Sequence, residues 1–139
     1  MANFRMPKFK FWCVDIALDY RYMMQPMTLR EVADYASTSE NEDWGNRIFY
    51  YCLNDNSYSI PLEFTGIYAG GIELYEGDIV DCDDTKIGGY KGRGKVVYNT
   101  DRTIGTPGFY LHNDIGLLPI PFMCTIIGNI YENPELMGK

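Results

Sequence analysis

The stretch from Glu63 to Cys82, EFTGIYAGGIELYEGDIVDC, constrains the fold more than any other part of the chain. Two apolar, alternating segments flank Gly70 and Gly71, a pattern typical of two strands joined by a tight turn. In the Tyr-Glu-Gly-Asp-Ile-Val run that follows, Gly77 suits a turn with positive φ, and Asp78 can accept hydrogen bonds from backbone N–H groups. We therefore predict a strand, a turn and the entry into a small β-barrel.

Length and composition are those of a folded domain with much β-structure. A chain of 139 residues forms one domain, or two small ones that share a core. Hydrophobic residues make up 46% and aromatic residues 15%, which favours folded, strand-rich structure. The formal net charge is −7, which disfavours general nucleic-acid binding because such binding depends on clustered Lys and Arg.

One helix is predicted, over Leu29 to Ser37. Thr28 and Glu31 have the spacing of a capping box, and Met27 can pack on Val32 as a hydrophobic staple. Apolar residues recur at helical spacing on one face of this segment, at Leu29, Val32, Ala33 and Ala36. A helix this short needs tertiary packing for stability, so we expect it to dock on a sheet.

The other segments alternate between strand-like and loop-like patterns. Phe9 to Leu18 reads as a strand with one buried face, Asp19 to Gln25 as an irregular turn, and residues 47–64 as a hairpin in which Pro61 requires an edge or a bulge. The loop-like segments are a polar one over residues 37–46, which contains Trp44, and a charged, Gly-rich one from Asp81 to Lys95. Further strands are predicted at Gly94 to Tyr98, Phe109 to His112 and Thr125 to Ile130, with an apolar connection from Leu117 to Phe122.

These elements predict an α+β fold that is mainly β. Residues 1–62 form a strand, a short helix and a hairpin, and residues 63–139 form a β-barrel on which this first region packs. The short strands of the second region recur about every 8–12 residues, the spacing of a barrel or a sandwich.

Two motifs resemble the YopX family of bacteriophage and prophage proteins. Phe64-Thr65-Gly66 followed by Glu73 to Val80 is similar to the central family motif, and Ile127 to Leu136 is similar to its closing motif. Phe9 to Trp12 resembles the opening segment of the family, although Cys13 stands where the family usually has Asp. The resemblance implies an SH3-like barrel in the C-terminal half and a phage or prophage origin, and it implies no reaction.

We interpret the family-motif residues as fold-specifying. Gly128 is expected at a bulge or a close backbone approach, and Pro134 is expected to end strand pairing. The full set is Trp12, Thr65, Gly66, Tyr75, Glu76, Gly77, Asp78, Gly128, Asn129, Tyr131, Asn133 and Pro134.

No catalytic, metal or cofactor site is predicted. His112 is the single histidine, so a Cys–His arrangement would require Cys82 or Cys124 to reach it from a distance. The four cysteines have no CxxC spacing, which favours reduced and mostly buried thiols over a zinc site. The three acidic residues after Val80 do not complete an EF-hand loop, because position 12 counted from Asp81 is Gly92 rather than Glu.

One basic segment is the candidate binding site. It interleaves cations with an aromatic ring that could stack on a base, and its residues are Lys86, Tyr90, Lys91, Arg93 and Lys95. Neighbouring acidic residues oppose a polyanion, so a mobile charged loop is the competing interpretation.

The functional expectation is a non-enzymatic phage accessory protein that acts through protein–protein contacts, with a homo-oligomer as one form of such contact. Nucleic-acid binding through residues 86–95 is the alternative. The N-terminal segment lacks the apolar core of a signal peptide and no run has the length of a membrane span, so we expect a location in the cytoplasm of a bacterial host and no membrane partner.

Overall fold

The computed structural model describes residues 7–16, 18–37, 57–83, 91–121 and 123–137. The chain divides into two compact units, unit 1 over Met1–Glu63 and unit 2 over Phe64–Lys139. Within the described residues there are ten strands, all paired antiparallel, and one α-helix. The fold is therefore mainly β, as predicted.

Strand β1, Lys8–Asp15, is the centre of unit 1. On one side it pairs with β2, Tyr20–Met23, and with the short β3, Met27–Thr28. On the other side it pairs with residues 57–63 of β4, Ser57–Ala69.

Two predictions for this region are wrong. Four consecutive β1 residues, Phe11 to Val14, are buried, so both faces of the strand are covered rather than one. The segment after Asp19 is not irregular throughout, because residues 20–23 form β2. Asp19 itself has φ of 52°, which places it in the turn that joins the two strands.

Helix α1 spans Leu29–Ser37, the predicted bounds. The capping box is formed, because the Glu31 N–H donates to Thr28 Oγ1 at 3.2 Å and the Thr28 N–H donates to Glu31 Oε1 at 2.8 Å. Val32 packs against the cluster of buried residues that includes Met27. The predicted apolar face is only partly right, since Leu29 and Ala33 are exposed.

The first strand of the predicted 47–64 hairpin, and the 37–46 loop except for Ser37, lie outside the described residues. In the described part, β4 takes β1 as its partner, with Pro61 opposite Phe11. Residues 57–63 of β4 pair with no second strand among those described, which is the kind of position a strand proline requires.

Unit 2 begins with a hairpin and continues into a five-stranded sheet. Residues 64–69 of β4 pair with β5, Ile72–Tyr75, through a turn at Gly70 and Gly71, whose φ angles are 59° and 82°. The sheet has the order β10-β6-β7-β8-β9. Its strands are β6 at Asp78–Asp83, β7 at Lys91–Asn99, β8 at Gly108–Asn113, β9 at Gly116–Leu118 and β10 at Cys124–Asn129.

The core of unit 2 is a cluster on one face of this sheet, formed by Leu74, Val80, Cys82, Val96 and Leu111. Gly94 of β7 lies on the same face as Val96, directly beneath the Leu111 side chain, so that a Cβ atom there would stand 2.5 Å from Leu111 Cγ. A glycine is therefore needed here for packing space.

Most of the segment from Asp81 to Lys95, which was predicted to be a loop, forms strand. β6 continues to Asp83 and β7 begins at Lys91, and the residues between them lie outside the described ranges. Gly94, predicted as the first residue of a strand, lies inside the longer strand β7 and is held under Leu111. Similarly, β9 forms at the start of the predicted apolar connection over residues 117–122.

Candidate functional site

An open groove with a volume of about 780 Å³ is the main candidate site of unit 2. Its walls come from three places: the tip of the β4–β5 hairpin with Ile67 and Tyr68, the end of β6 with Asp83, and the connection before β10 with Pro121 and Met123. Because these segments are far apart in the chain, the groove exists only when unit 2 is folded.

The groove is lined mostly by apolar side chains that are open to solvent. Tyr68 is 59% exposed and Met123 is 57% exposed, and Ile67 is also exposed. The Tyr68 ring is held edge-on against Phe64, with 5.5 Å between the ring centroids, so its position is fixed by packing. Large exposed apolar side chains gathered around one concavity are typical of a contact surface rather than of scattered surface residues.

Few residues with polar side chains line the groove. They carry the carboxylate of Asp83, the thiol of Cys124 and the hydroxyls of Tyr68 and Thr125. No histidine or second acid lines it among the described residues. The arrangement therefore supports binding of an apolar ligand segment.

The hairpin at the groove is shaped by two of the family-motif residues. Gly66 has φ of 86°, and the register of β4 against β5 shifts between Phe64 and Tyr68. Thr65 Oγ1 donates to the Leu74 carbonyl oxygen at 2.9 Å and accepts from the Ile67 N–H at 3.0 Å. This bulge turns the strand and sets the direction of Ile67 and Tyr68.

The basic residues predicted to bind lie elsewhere, on β7. Lys91, Arg93 and Lys95 share the face opposite the core, since they alternate with Gly92, Gly94 and Val96. In the β6–β7 register Lys91 stands opposite Asp83, and Arg93 stands opposite Asp81. Lys86 and Tyr90 lie outside the described residues.

Arg93 has internal partners. Its Nε donates to Asp81 Oδ1 at 2.8 Å, and its Nη1 donates to the Leu136 carbonyl oxygen at 3.0 Å. The hydrogen bond to Asp81 raises the pKa of Arg93 above its ordinary value. Arg93 thus ties the strand to the C-terminal 3-10 turn, Pro134–Met137, and its binding role remains a prediction.

The turn between β5 and β6 is held by the Tyr75-Glu76-Gly77-Asp78 motif. Asp78, which is buried, accepts the Tyr75 N–H at Oδ2 over 2.8 Å. Gly77 has φ of 90°, donates its N–H to the Val96 carbonyl oxygen at 2.8 Å, and accepts the Ile130 N–H at 2.9 Å. The motif is thus a junction between β5, β7 and the end of β10.

Tyr75 is the most buried ionisable side chain of this junction. It is 1% exposed, and its hydroxyl donates to Glu73 Oε1 at 2.9 Å. Burial first, and then the hydrogen bond and negative charge of Glu73, raise the pKa of Tyr75 above its ordinary value. The phenol is therefore neutral and structural at physiological pH.

The closing motif forms a turn capped by two asparagines. Asn129 Oδ1 accepts the N–H groups of Tyr131 and Glu132, at 3.0 and 2.7 Å. Asn133 Oδ1 accepts the Asn129 N–H at 3.2 Å, and a Cβ atom on Gly128 would stand 2.5 Å from that oxygen. Gly128 also lies where the β10–β6 register shifts, which is a bulge as predicted.

The sequence also left open a Cys–His arrangement, which the fold does not assemble. Leu111 belongs to the core cluster with Cys82, and His112, the next residue of β8, is exposed on the opposite face of the sheet. Trp12, the remaining motif residue, lies buried in β1 of unit 1.

Two further classes of site are absent from the described ranges. These residues contain no group of three or more His, Cys, Asp or Glu side chains placed to hold a metal ion. They also include no helix with the length and apolar character needed to cross a bilayer.

Sequence reasoning missed the groove entirely. Its apolar residues are read along the chain as ordinary strand or connection residues, and only the folded register brings them together. One signal was present, the two prolines at positions 119 and 121 of the apolar connection, since a central strand does not accommodate prolines.

Comparison with known proteins gives one match. The family model described as "YopX protein" matches residues 20–138. It includes residues 20–62, where no motif was recognised, and leaves Phe9 to Trp12 outside. Neither the curated proteins nor the solved structures contain a match to this chain. Because the match covers most of the sequence and contains both the central and the closing motif, the chain belongs to the YopX family.

Proposed function

We propose that the protein is a non-enzymatic accessory protein of bacteriophage or prophage origin that binds another protein in the host cytoplasm through the groove of unit 2. The observation that carries the proposal is the cluster of exposed apolar side chains around that groove, Ile67, Tyr68 and Met123. Family membership supports the phage-type origin.

The chemistry of the groove indicates the kind of partner. Tyr and Met are enriched at protein interfaces, where an aromatic ring or a flexible thioether fills an apolar pocket. The net charge of −7 favours a partner with Lys or Arg next to its apolar residues. The expected occupant is therefore an apolar protein segment flanked by basic residues.

The proposal includes a finer fold for unit 2, an SH3-like barrel. Support comes from the family resemblance and from the antiparallel hairpins that order the strands as β10-β6-β7-β8-β9. An experimental structure in which β5 and the ends of this sheet do not close on one another would refute this part.

Affinity capture with three forms of the chain tests the binding role. The forms are the wild type, Met123→Glu in the groove, and Ile115→Glu as a control, since Ile115 is also a large exposed apolar residue but does not line the groove. We expect the wild type and Ile115→Glu to retain the same protein from lysogenic cells, and Met123→Glu to lose it by tenfold or more, about the loss of one interface hot spot.

Other outcomes of the capture experiment would contradict the proposal or identify a different occupant of the groove. Equal capture by all three forms, or no specific protein in any of them, would contradict a groove-mediated contact. Size-exclusion chromatography of the same forms separates self-association from binding to a second protein. A dimer that only Met123→Glu disrupts would identify a second copy of the chain, instead of the expected basic partner, as the occupant.

A further inference from the structure

Two cysteines that are far apart in the sequence are direct neighbours across two strands. Cys82 of β6 and Cys124 of β10 are register partners in the antiparallel pair, and the flanking pairs Asp81–Thr125 and Val80–Ile126 keep the same register. Directly opposite residues of an antiparallel pair project to the same face of the sheet. Both cysteines accordingly pack in the core cluster of unit 2.

The hydrogen bonding around this pair brings the two side chains especially close. The Asp83 N–H donates to the Met123 carbonyl oxygen, which joins the residue after Cys82 to the residue before Cys124. In an antiparallel ladder this bond marks Cys82 and Cys124 as a non-hydrogen-bonded pair, for which the Cα atoms lie about 4.5 Å apart. Disulfides have Cα separations of about 4.4–6.8 Å, so the backbone already has a geometry in which a bond can form.

The two thiols differ in access to solvent. Cys82 is only 4% exposed, whereas Cys124 is half-buried and lines the groove. A small oxidant in the groove therefore reaches the sulfur of Cys124 first, and the sulfur of Cys82 lies beside the product of that reaction. This is the arrangement of an accessible thiol with a neighbouring resolving thiol.

We propose that Cys82 and Cys124 form a redox-sensitive dithiol that closes into a cross-strand disulfide when the protein meets a hydroperoxide. The Cys124 thiolate attacks one oxygen of hydrogen peroxide, the O–O bond breaks, and Cys124 becomes a sulfenic acid; the hydroxide that leaves takes up the proton lost by the Cys124 thiol and departs as water. The Cys82 thiolate then attacks the sulfenic sulfur, the S–S bond forms as the S–O bond breaks, and the second hydroxide takes up the proton lost by the Cys82 thiol and departs as water. Two electrons pass from the two sulfurs to one peroxide, and a dithiol reductant reverses the change.

The consequence for the molecule is local. β10 is an edge strand of the described sheet, and the bond would fasten it to β6 beside the groove. In a reducing cytoplasm the pair stays reduced, and oxidative stress or release from the cell would close it.

The test uses a Cys13→Ala/Cys52→Ala form of the full chain, in which Cys82 and Cys124 are the only cysteines. After treatment with hydrogen peroxide we expect an intact mass lower by about 2 Da, from loss of two hydrogens, with recovery on reduction. Trypsin cleaves after Arg47, Lys86 and Arg102, so each cysteine lies in its own peptide, and the linked pair 48–86 with 103–139 identifies the bond.

The wild type is the matched control for damage caused by the substitutions, since it must show the same loss of mass. A mass increase from sulfinic or sulfonic acid at Cys124 with Cys82 unmodified would overturn the proposal. So would disulfide-linked dimers on a non-reducing gel, or a bond from Cys124 to Cys13 or Cys52 in the wild type, where fragment-ion sequencing separates Cys52 from Cys82 because both lie in peptide 48–86.

Discussion

Replacing Gly94 with alanine tests whether the packing of the unit 2 core requires a residue without a side chain at this position. The Cβ atom added at this position would stand 2.5 Å from Leu111 Cγ, 3.0 Å from Cδ2 and 3.1 Å from Cδ1. These atoms are the branch point and both methyl groups of a side chain that is fully buried, so the clash cannot be relieved by moving a flexible end. Gly94 has no positive φ, so the backbone itself accepts alanine.

Two effects of opposite sign decide the magnitude. Overpacking a well-packed core costs about 1–3 kcal/mol. Replacing a glycine in an ordinary conformation lowers the entropy of the unfolded chain and stabilises by about 0.4–1 kcal/mol. The steric term is larger, so we expect Gly94→Ala to lower the free energy of unfolding by about 1–2 kcal/mol.

Urea unfolding of four variants measures this effect and its cause. Gly105→Ala is the control, because a Cβ atom there meets only ordinary contacts at 3.5 Å or more and we expect no loss of stability. Leu111→Ala alone should cost about 2–5 kcal/mol. In the double variant the methyl group introduced by Gly94→Ala enters the space left by the leucine side chain. The loss in free energy of unfolding should therefore be about 1 kcal/mol smaller than the sum of the losses of the two single variants. A Gly94→Ala protein as stable as the wild type, or strictly additive losses, would refute the proposed clash.

Three further predictions concern other parts of the chain. The raised pKa of Tyr75 means that its neutral phenol stabilises the fold fully below its ordinary pKa of about 10, and that this stability is lost as the pH rises toward the raised value in the folded protein. Between about pH 9 and pH 11 the free energy of unfolding in urea should therefore fall less for Tyr75→Phe than for the wild type. An equal fall in the two proteins would contradict this prediction. Thr28→Ala removes the cap of α1 and should cost about 1 kcal/mol in the same assay, whereas an unchanged midpoint would mean that the cap is dispensable. Fluorescence anisotropy with DNA and RNA at low salt should show no binding, because Lys91 and Arg93 stand opposite Asp83 and Asp81, whose negative charge opposes a polyanion. Salt-sensitive binding that Lys91→Glu abolishes would contradict this prediction.

The parts of the fold that were predictable from sequence are those fixed by near neighbours. Helix α1 was placed at its observed bounds because Thr28 and Glu31 cap it within one turn of chain. The Gly70-Gly71 turn and the Gly77 turn were predicted for the same reason, since positive φ at a glycine is a local property.

The parts that could not be predicted depend on distant partners. Residues 20–23 form a strand because β1 offers them hydrogen bonds, and their own sequence is too short to indicate it. The strand at Gly94 to Tyr98 was predicted, but the need for glycine at position 94 becomes apparent only when Leu111 is placed above it. The groove and the Cys82–Cys124 pair likewise arise only from the register of strands that are separated in sequence.

The hydrogen bonds of Gly77 bear on how unit 2 is made in the cell. Its carbonyl oxygen accepts from Ile130, which leaves the ribosome long after Gly77 itself. At about 5–20 residues added per second, the β5–β6 turn waits seconds for its partner. During that interval β6 also lacks β10, its neighbour at the sheet edge. The nascent unit 2 therefore exposes an unpaired strand edge until synthesis passes the closing motif, and slow codons or a premature stop shortly before residue 130 would favour aggregation over folding.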